Sequence, residues 1–210
     1  MNLVESLNWR YATKRMNGKQ VPQVKLDNIL EAIRLSASGL GLQPYRVVVV
    51  ENPELRAKIH ETICLQPQVI EGSHLLVFAS YTNLNVGHVD EYINRAAAEW
   101  NIPVEALSRL SNMGKGYIGS QNEEQNANWS ARQVYIGLGF GLVAAAVEQV
   151  DATPMEGFDH LAMDEFLGLD AMNLQSVMVM ALGFRDEETD YQAKAKKIRL
   201  PKEEFFIIKA

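Results

Sequence analysis

The sequence predicts a mixed α+β domain. Its 210 residues, 47% of them apolar and 22% charged, are enough to bury a core within one domain spanning residues 1–210. Three internal apolar runs have the composition of strands, and a fourth closes the chain. Helical periodicity is more abundant than strand pattern, which favours helices packed on a small sheet.

Taken in order, Val24 to Ala37 predicts an amphipathic helix, with Leu26, Ile29, Leu30, Ile33 and Ala37 on one face. Ser36 to Gly41 breaks that pattern and Gln43-Pro44 ends it. Tyr45 to Val50 reads as a buried strand, followed by a short helix capped by Asn52 and Pro53. His74 to Ser80 is a second strand. Val89 to Asn112 is helical and polar, interrupted at Pro103, and Gly114, Gly116 and Gly119 suggest a loosened connection. Glu123 to Val150 predicts a long helix, apolar in its second half. Asp159 caps another helix that stops at Gly168. Ser176 to Phe184 is a third strand, Arg185 to Lys202 is polar and basic, and Phe205 to Lys209 is a short terminal strand. Such an arm could cross to a second copy of the chain and add a strand there.

The formal net charge is −6, so the surface as a whole is no footprint for nucleic acid or an anionic membrane. The cations are nevertheless concentrated. Arg10, Lys14, Arg15, Lys19 and Lys25 face only Glu5 within the first 25 positions, and residues 191–202 carry Lys194, Lys196, Lys197, Arg199 and Lys202 with no acid. Two basic ends in an acidic chain suggest an anion site if the fold joins them, or otherwise two solvated tails. Cys64 is the only cysteine, which excludes an internal disulfide and suits a reducing cytoplasm. The start of the chain has no signal-peptide pattern, and the longest apolar stretch, Val134 to Val147, falls short of the ~20 residues of a membrane helix.

Gly137-Leu-Gly-Phe-Gly141 imitates part of a dinucleotide fingerprint. That fingerprint needs a strand before it, and these glycines lie inside a helical run, where close helix packing explains them. Gly114-Lys-Gly116 lacks phosphate-loop spacing. His60, His74, His88 and His160 show no metal-ligand spacing, and no carboxylate pair is marked out for hydrolysis.

Four segments do carry a signal together. Arg10-Tyr-Ala-Thr-Lys14 resembles the Arg-x-Ser-x-Lys segment of the nitroreductase family, and Ser36-Ala-Ser-Gly-Leu-Gly-Leu-Gln-Pro-Tyr45 resembles its Ser-Pro-Ser-x-x-Asn-x-Gln-Pro-Trp segment. Pro154-Met-Glu-Gly-Phe158 resembles its Pro-x-Glu-Gly-Phe turn, and Lys197-Ile-Arg-Leu-Pro201 its Lys-x-Arg-x-Pro ending. The four occur in order across nearly the whole chain. The resemblance implies a central, mostly antiparallel sheet flanked by helices. It also implies a C-terminal strand swapped onto the partner of a homodimer, with FMN at the subunit interface.

Carried over residue by residue, the resemblance implies that Arg10, Lys197 and Arg199 hold the FMN 5′-phosphate and that Tyr11 and Ala12 lie against the cofactor. Lys14 stands by the N1–C2=O edge, where a cation offsets the negative charge gained on reduction. Met155, Glu156 and Gly157 present backbone near N5, with Lys14 and Glu156 in supporting roles. Ser38, Gly39 and Gly41 reach over from the partner. Three departures stand out: Ala12 where serine is common, Gly41 for asparagine, and Leu65 for asparagine, leaving Gln66 or Gln68 to contact the flavin's polar edge.

The implied activity is two-electron transfer from NAD(P)H to a small flat acceptor, a nitroaromatic, quinone or similar conjugated compound, by ping-pong kinetics. No residue need act as a catalytic acid or base. Trp100, Tyr117 and Trp129 are candidate walls of the acceptor cleft. A second reading of the same residues is a flavin-binding redox sensor or store with little turnover.

Overall fold

In the computed structural model, which describes residues 2–209, four strands form one antiparallel sheet. They are β1 (Tyr45–Val50), β2 (His74–Tyr81), β3 (Asp151–Met155) and β4 (Leu174–Gly183), in the order β1-β2-β4-β3. The central pair runs from His74 opposite Leu182 to Tyr81 opposite Leu174, with a bulge between Phe78 and Ala79. Side chains alternate across a strand. On β2, Leu76 and Phe78 therefore enter one core while Leu75 and Val77 enter another. Both faces are covered, which is why β2 and β4 read as continuous apolar runs.

One face is covered by α2 (Gln23–Arg34) and α7 (Glu123–Val147). Leu26, Ile29 and Ile33 of α2 meet Val134 and Leu138 of α7 over Phe78 and Met180. Each fully buried side chain of this size contributes about 1.5–3 kcal/mol. The other face is covered by α3 (Pro53–Thr62), α4 (Gln68–Glu71) and α8 (His160–Leu167), through Ile59, Val69 and Met163. Cys64 is wholly buried there, and burial pushes its thiol pKa up, as for an unreactive small hydrophobe. A separate apolar cluster joins α5 (Val86–Trp100) to α6 (Ser108–Gly119). α1 (Leu3–Trp9) lies against α7, and α9 (Lys202–Phe205) stands near the end of the chain.

Local chemistry accounts for the element ends. Asn52 accepts the Glu54 and Leu55 N–H groups before Pro53, Asp159 accepts that of Ala162, and Gly168 closes α8 at φ +65°. Gly141 of α7 lies where a Cβ would come within 3.0 Å of Ile33, and Gly137 is pressed onto the Tyr45 ring. Gly137 and Gly141 are thus packing residues, as their helical setting predicted, while Gly139 between them has open space around it. α7 is long and apolar enough to cross a membrane by length and composition. It nonetheless runs through the fold with Asn126, Ser130 and Gln133 buried along it, and is a core helix.

Four expectations need correction. Gly114, Gly116 and Gly119 lie within α6, because the close approach of Val89 on α5 leaves no room for a side chain at Gly114. The turn expected at Pro154 is the end of strand β3, whose proline is tolerated because β3 is an edge. β1 is only half-buried, being the opposite edge. Phe205 ends helix α9, and 206–209 form no strand among the described residues, since a strand needs a neighbour to bond.

Candidate functional site

The polypeptide leaves α1 at Arg10 and continues without helix as far as Val21. Segment 10–17 is laced to the end of β4. Met16 pairs with Arg185, Asn17 N–H donates to Phe184 O at 2.9 Å, and Asp186 N–H donates to Arg15 O at 3.1 Å. Arg185 is the clamp. Its Nη2 lies 2.7 Å and its Nε 3.0 Å from the two oxygens of Asp151, and its guanidinium lies over the rings of Trp9 (4.2 Å) and Tyr11 (4.6 Å). Burial alone would lower the Arg185 pKa, but the hydrogen bonds and charge of Asp151 outweigh it and the pKa is raised.

Three further side chains hold the same segment. Asp190 accepts from Tyr11 Oη at 3.0 Å, from Lys14 N–H at 2.8 Å and from Gln192 N–H at 2.8 Å. Thr13 O accepts from Gln68 Nε2 at 2.8 Å and from Thr153 Oγ1 at 2.9 Å. Burial and the Asp190 carboxylate push the Tyr11 phenol pKa well above its ordinary value, so Tyr11 is a neutral donor. Across the segment, Glu71 of α4 accepts from Met16 N–H and pairs with Arg15 at 2.6 Å.

The two basic ends of the chain meet. Lys197 Nζ donates to the carbonyls of Leu7 and Arg10. Burial lowers the Arg10 pKa, and the neighbouring Arg199 lowers it further; Lys197 is lowered by burial and then by Arg10 and Arg199. Asp151 offsets part of the charge on Arg10, but its carboxylate is taken by Arg185. No ion pair engages Arg10, Lys197 or Arg199 among the described residues, and Arg10 Nε is buried without an acceptor. Three cations with an unfilled donor make an electrostatically incomplete cluster, and a phosphate dianion with several acceptor oxygens fits it.

The remaining predicted residues divide. β3 is held to segment 10–14 at Ala152 and Thr153, since Ala152 O accepts from Arg10 and Thr153 bonds Thr13; Met155 ends the strand, and Glu156 and Gly157 follow it with no hydrogen bond to that segment. Glu156 is exposed and accepts from Tyr135 Oη at 2.8 Å. Ala12 is half-buried. Of the two glutamines, Gln66 is exposed while Gln68 is 1% exposed and holds Thr13 from behind. Ser38, Gly39 and Gly41 make their hydrogen bonds to α7 and within their own loop rather than to segment 10–14. Gly41 has φ +72°, which glycine and asparagine adopt most readily, so its exchange for asparagine has a backbone reason. Gly39 is packed against Trp129, whose ring lies 5.7 Å from that of Tyr117, while Trp100 is exposed at the end of α5.

The model of the Nitroreductase family matches residues 7–184. The chain belongs to the nitroreductase family. It is 31% identical to YfkO of Bacillus subtilis over 201 residues, 87% of this chain and 88% of that one. It is 26% identical to the major NAD(P)H-flavin oxidoreductase of Aliivibrio fischeri, covering 94% of each. Its fold superposes with TM-score 0.82 and 18% identity on a complex with FMN from Exiguobacterium sibiricum, over 100% of this chain and 98% of that one.

Within this nitroreductase chain, sequence reasoning missed Asp151, Thr153, Arg185 and Asp190. Arg185 and Asp151 stand 34 positions apart and match no motif. Asp190 follows the acidic run Asp186-Glu187-Glu188, which reads as a solvated loop, yet it is 4% exposed. A buried carboxylate of this kind is visible only once its donors are placed.

Proposed function

We propose that this chain is an NAD(P)H-dependent flavin oxidoreductase that uses FMN and reduces flat conjugated acceptors such as quinones and nitroaromatics. The observation that carries this reading is the meeting of Arg10, Lys197 and Arg199 around a buried guanidinium nitrogen with no acceptor. These three bind the 5′-phosphate, arginine as a fork and lysine as a point charge. Bound FMN supplies two-electron redox chemistry that no side chain here offers. Lys14 sets an ammonium at the pyrimidine edge, with Tyr11 and Ala12 beside it. Met155, Glu156 and Gly157 present backbone at the end of β3, and Tyr135 braces Glu156. Gln66 is free to contact the polar edge, whereas Gln68 acts by holding Thr13.

Two observations support a homodimer. Tyr135, Ile136, Phe140 and Val147 leave an apolar strip of α7 exposed, and Ile198, Leu200, Phe205, Phe206, Ile207 and Ile208 are exposed near the C-terminus. A second copy covers the α7 strip and receives the arm as an added strand. The edge of β3 is engaged by segment 10–14, so the open edge of β1 is the seat. It borders a 330 Å³ hollow lined by Leu30, Ile33, Val47 and Val49. In that assembly Ser38, Gly39 and Gly41 complete the partner's flavin site. Reductant and acceptor occupy one cleft in turn, giving ping-pong kinetics. The acidic surface and the buried lone thiol suit a cytoplasmic enzyme of small molecules.

The test is spectroscopic and kinetic. Purified protein should show the paired near-ultraviolet and blue absorption of a flavin and oxidise NADH or NADPH with menadione, with parallel double-reciprocal lines. Arg199→Ala should weaken FMN retention. A colourless protein that does not take up added FMN would overturn the proposal. Bound flavin without turnover would favour the sensor or store.

A further inference from the structure

We propose that Asp190 is a positioning residue for Lys14, acting through the peptide bond between Thr13 and Lys14. Both polar atoms of that peptide are held. Its N–H donates to Asp190 Oδ2 at 2.8 Å, and its C=O accepts from Gln68 Nε2 and Thr153 Oγ1 at 2.8 and 2.9 Å. The three clamping residues come from the loop after β4, from α4 and from β3, and are 4%, 1% and 1% exposed. Turning this peptide plane breaks three hydrogen bonds at once, two of them buried and one part-buried, and leaves the polar groups that made them unpaired.

Both oxygens of the Asp190 carboxylate accept hydrogen bonds. One oxygen serves Tyr11 Oη and Lys14 N–H, and the other serves Gln192 N–H. At 4% exposure it has almost no surface to offer a substrate, so it acts through what it holds. Anchoring the segment does not require it, because Met16 and Asn17 already pair with Phe184 and Arg185. What Asp190 adds is local: it fixes the backbone from which the lysine leaves. A lysine side chain has four rotatable bonds, and a fixed Cα–Cβ direction limits where its ammonium can stand. The geometry points to a lysine held ready rather than one that searches.

This proposal rests on the reading that Lys14 faces the flavin, and the test separates the two. The midpoint potential of bound FMN is measured against redox dyes for the wild type, Lys14→Met, Asp190→Asn, Thr153→Val and the Lys14→Met/Asp190→Asn pair. FMN affinity is followed by fluorescence alongside. Lys14→Met should lower the preference for reduced over oxidised FMN about tenfold, which is about 30 mV for a two-electron couple. Asp190→Asn should give a smaller shift of the same sign while Lys14 is present, and no further shift in Lys14→Met. Thr153→Val, nearly isosteric, should move the potential the same way and serves if Asp190→Asn does not fold. An unchanged potential in the clamp variants, or an Asp190→Asn shift that persists without Lys14, overturns the proposal while leaving Lys14 in place. An unchanged potential in Lys14→Met removes the reading of Lys14 and the proposal with it.

Discussion

Arg185 and Asp151 form a two-pronged ion pair where β3 begins and β4 ends, with the arginine face against Trp9 and Tyr11. The side chains are 16% and 2% exposed. Arg185→Ala leaves a carboxylate buried without its partner and should destabilise the apoprotein by about 3–5 kcal/mol. Arg185→Lys should recover only part, because lysine has neither the fork nor the planar face. Urea denaturation followed by circular dichroism measures both, and a midpoint unmoved by Arg185→Ala would contradict this weight.

Two glycines in one helix should respond in opposite directions. At Gly114 an added Cβ would stand 2.8 Å from Val89 Cγ1, while at Gly116 nothing lies within 4 Å. Gly114→Ala should cost about 1–3 kcal/mol through overpacking. Gly116→Ala should stabilise by up to about 1 kcal/mol through helix propensity. Thermal unfolding of the two variants side by side tests the packing of α5 on α6; equal shifts would contradict it.

Stability should fall between neutral and mildly acidic pH because of His74. Its ring is buried beside Ser73, and burial lowers its pKa, with Arg56 adding to the effect and Glu51 opposing it. The unfolded chain therefore binds a proton that the fold resists. The stabilisation is complete above the unfolded value of about 6.5 and is lost as pH falls toward and through the lower folded value. Urea midpoints measured from pH 7.5 to 5 should decline, and His74→Gln should flatten that slope whatever it does to absolute stability.

Deleting residues 205–209 should weaken self-association. Four of those five side chains, Phe205, Phe206, Ile207 and Ile208, are apolar and exposed in the single chain. Analytical ultracentrifugation at micromolar concentration should find the shortened protein shifted toward monomer, with FMN retention falling in parallel. A dimer as tight as that of the full chain would locate the interface elsewhere.

Much of the fold was legible because it rests on local pattern. The core face of α2 followed from the spacing of Leu26, Ile29 and Ile33, and β1 from a β-branched run. β3 was not legible: Asp151-Ala-Thr-Pro154 carries an acid and a proline, tolerated only because the strand is an edge and Asp151 meets Arg185. In the candidate site, the cations at the two ends of the chain were visible as charge excess. The hold on the Thr13–Lys14 peptide was not: Thr153 and Asp190 went unmarked and Gln68 was assigned a different contact, since all three act through hydrogen bonds over long separations that no periodicity records.

Lys197 reaches back 187 positions to the Arg10 carbonyl. A chain emerging from the ribosome cannot close that contact until Lys197 has been made and released, and contacts so distant in sequence form slowly. If Arg10 and Lys197 hold FMN as proposed, the cofactor is captured only after that closure. On the proposed reading, the phosphate of bound FMN relieves the repulsion among Arg10, Lys197 and Arg199, so FMN should protect the segment around Lys197 from proteolysis.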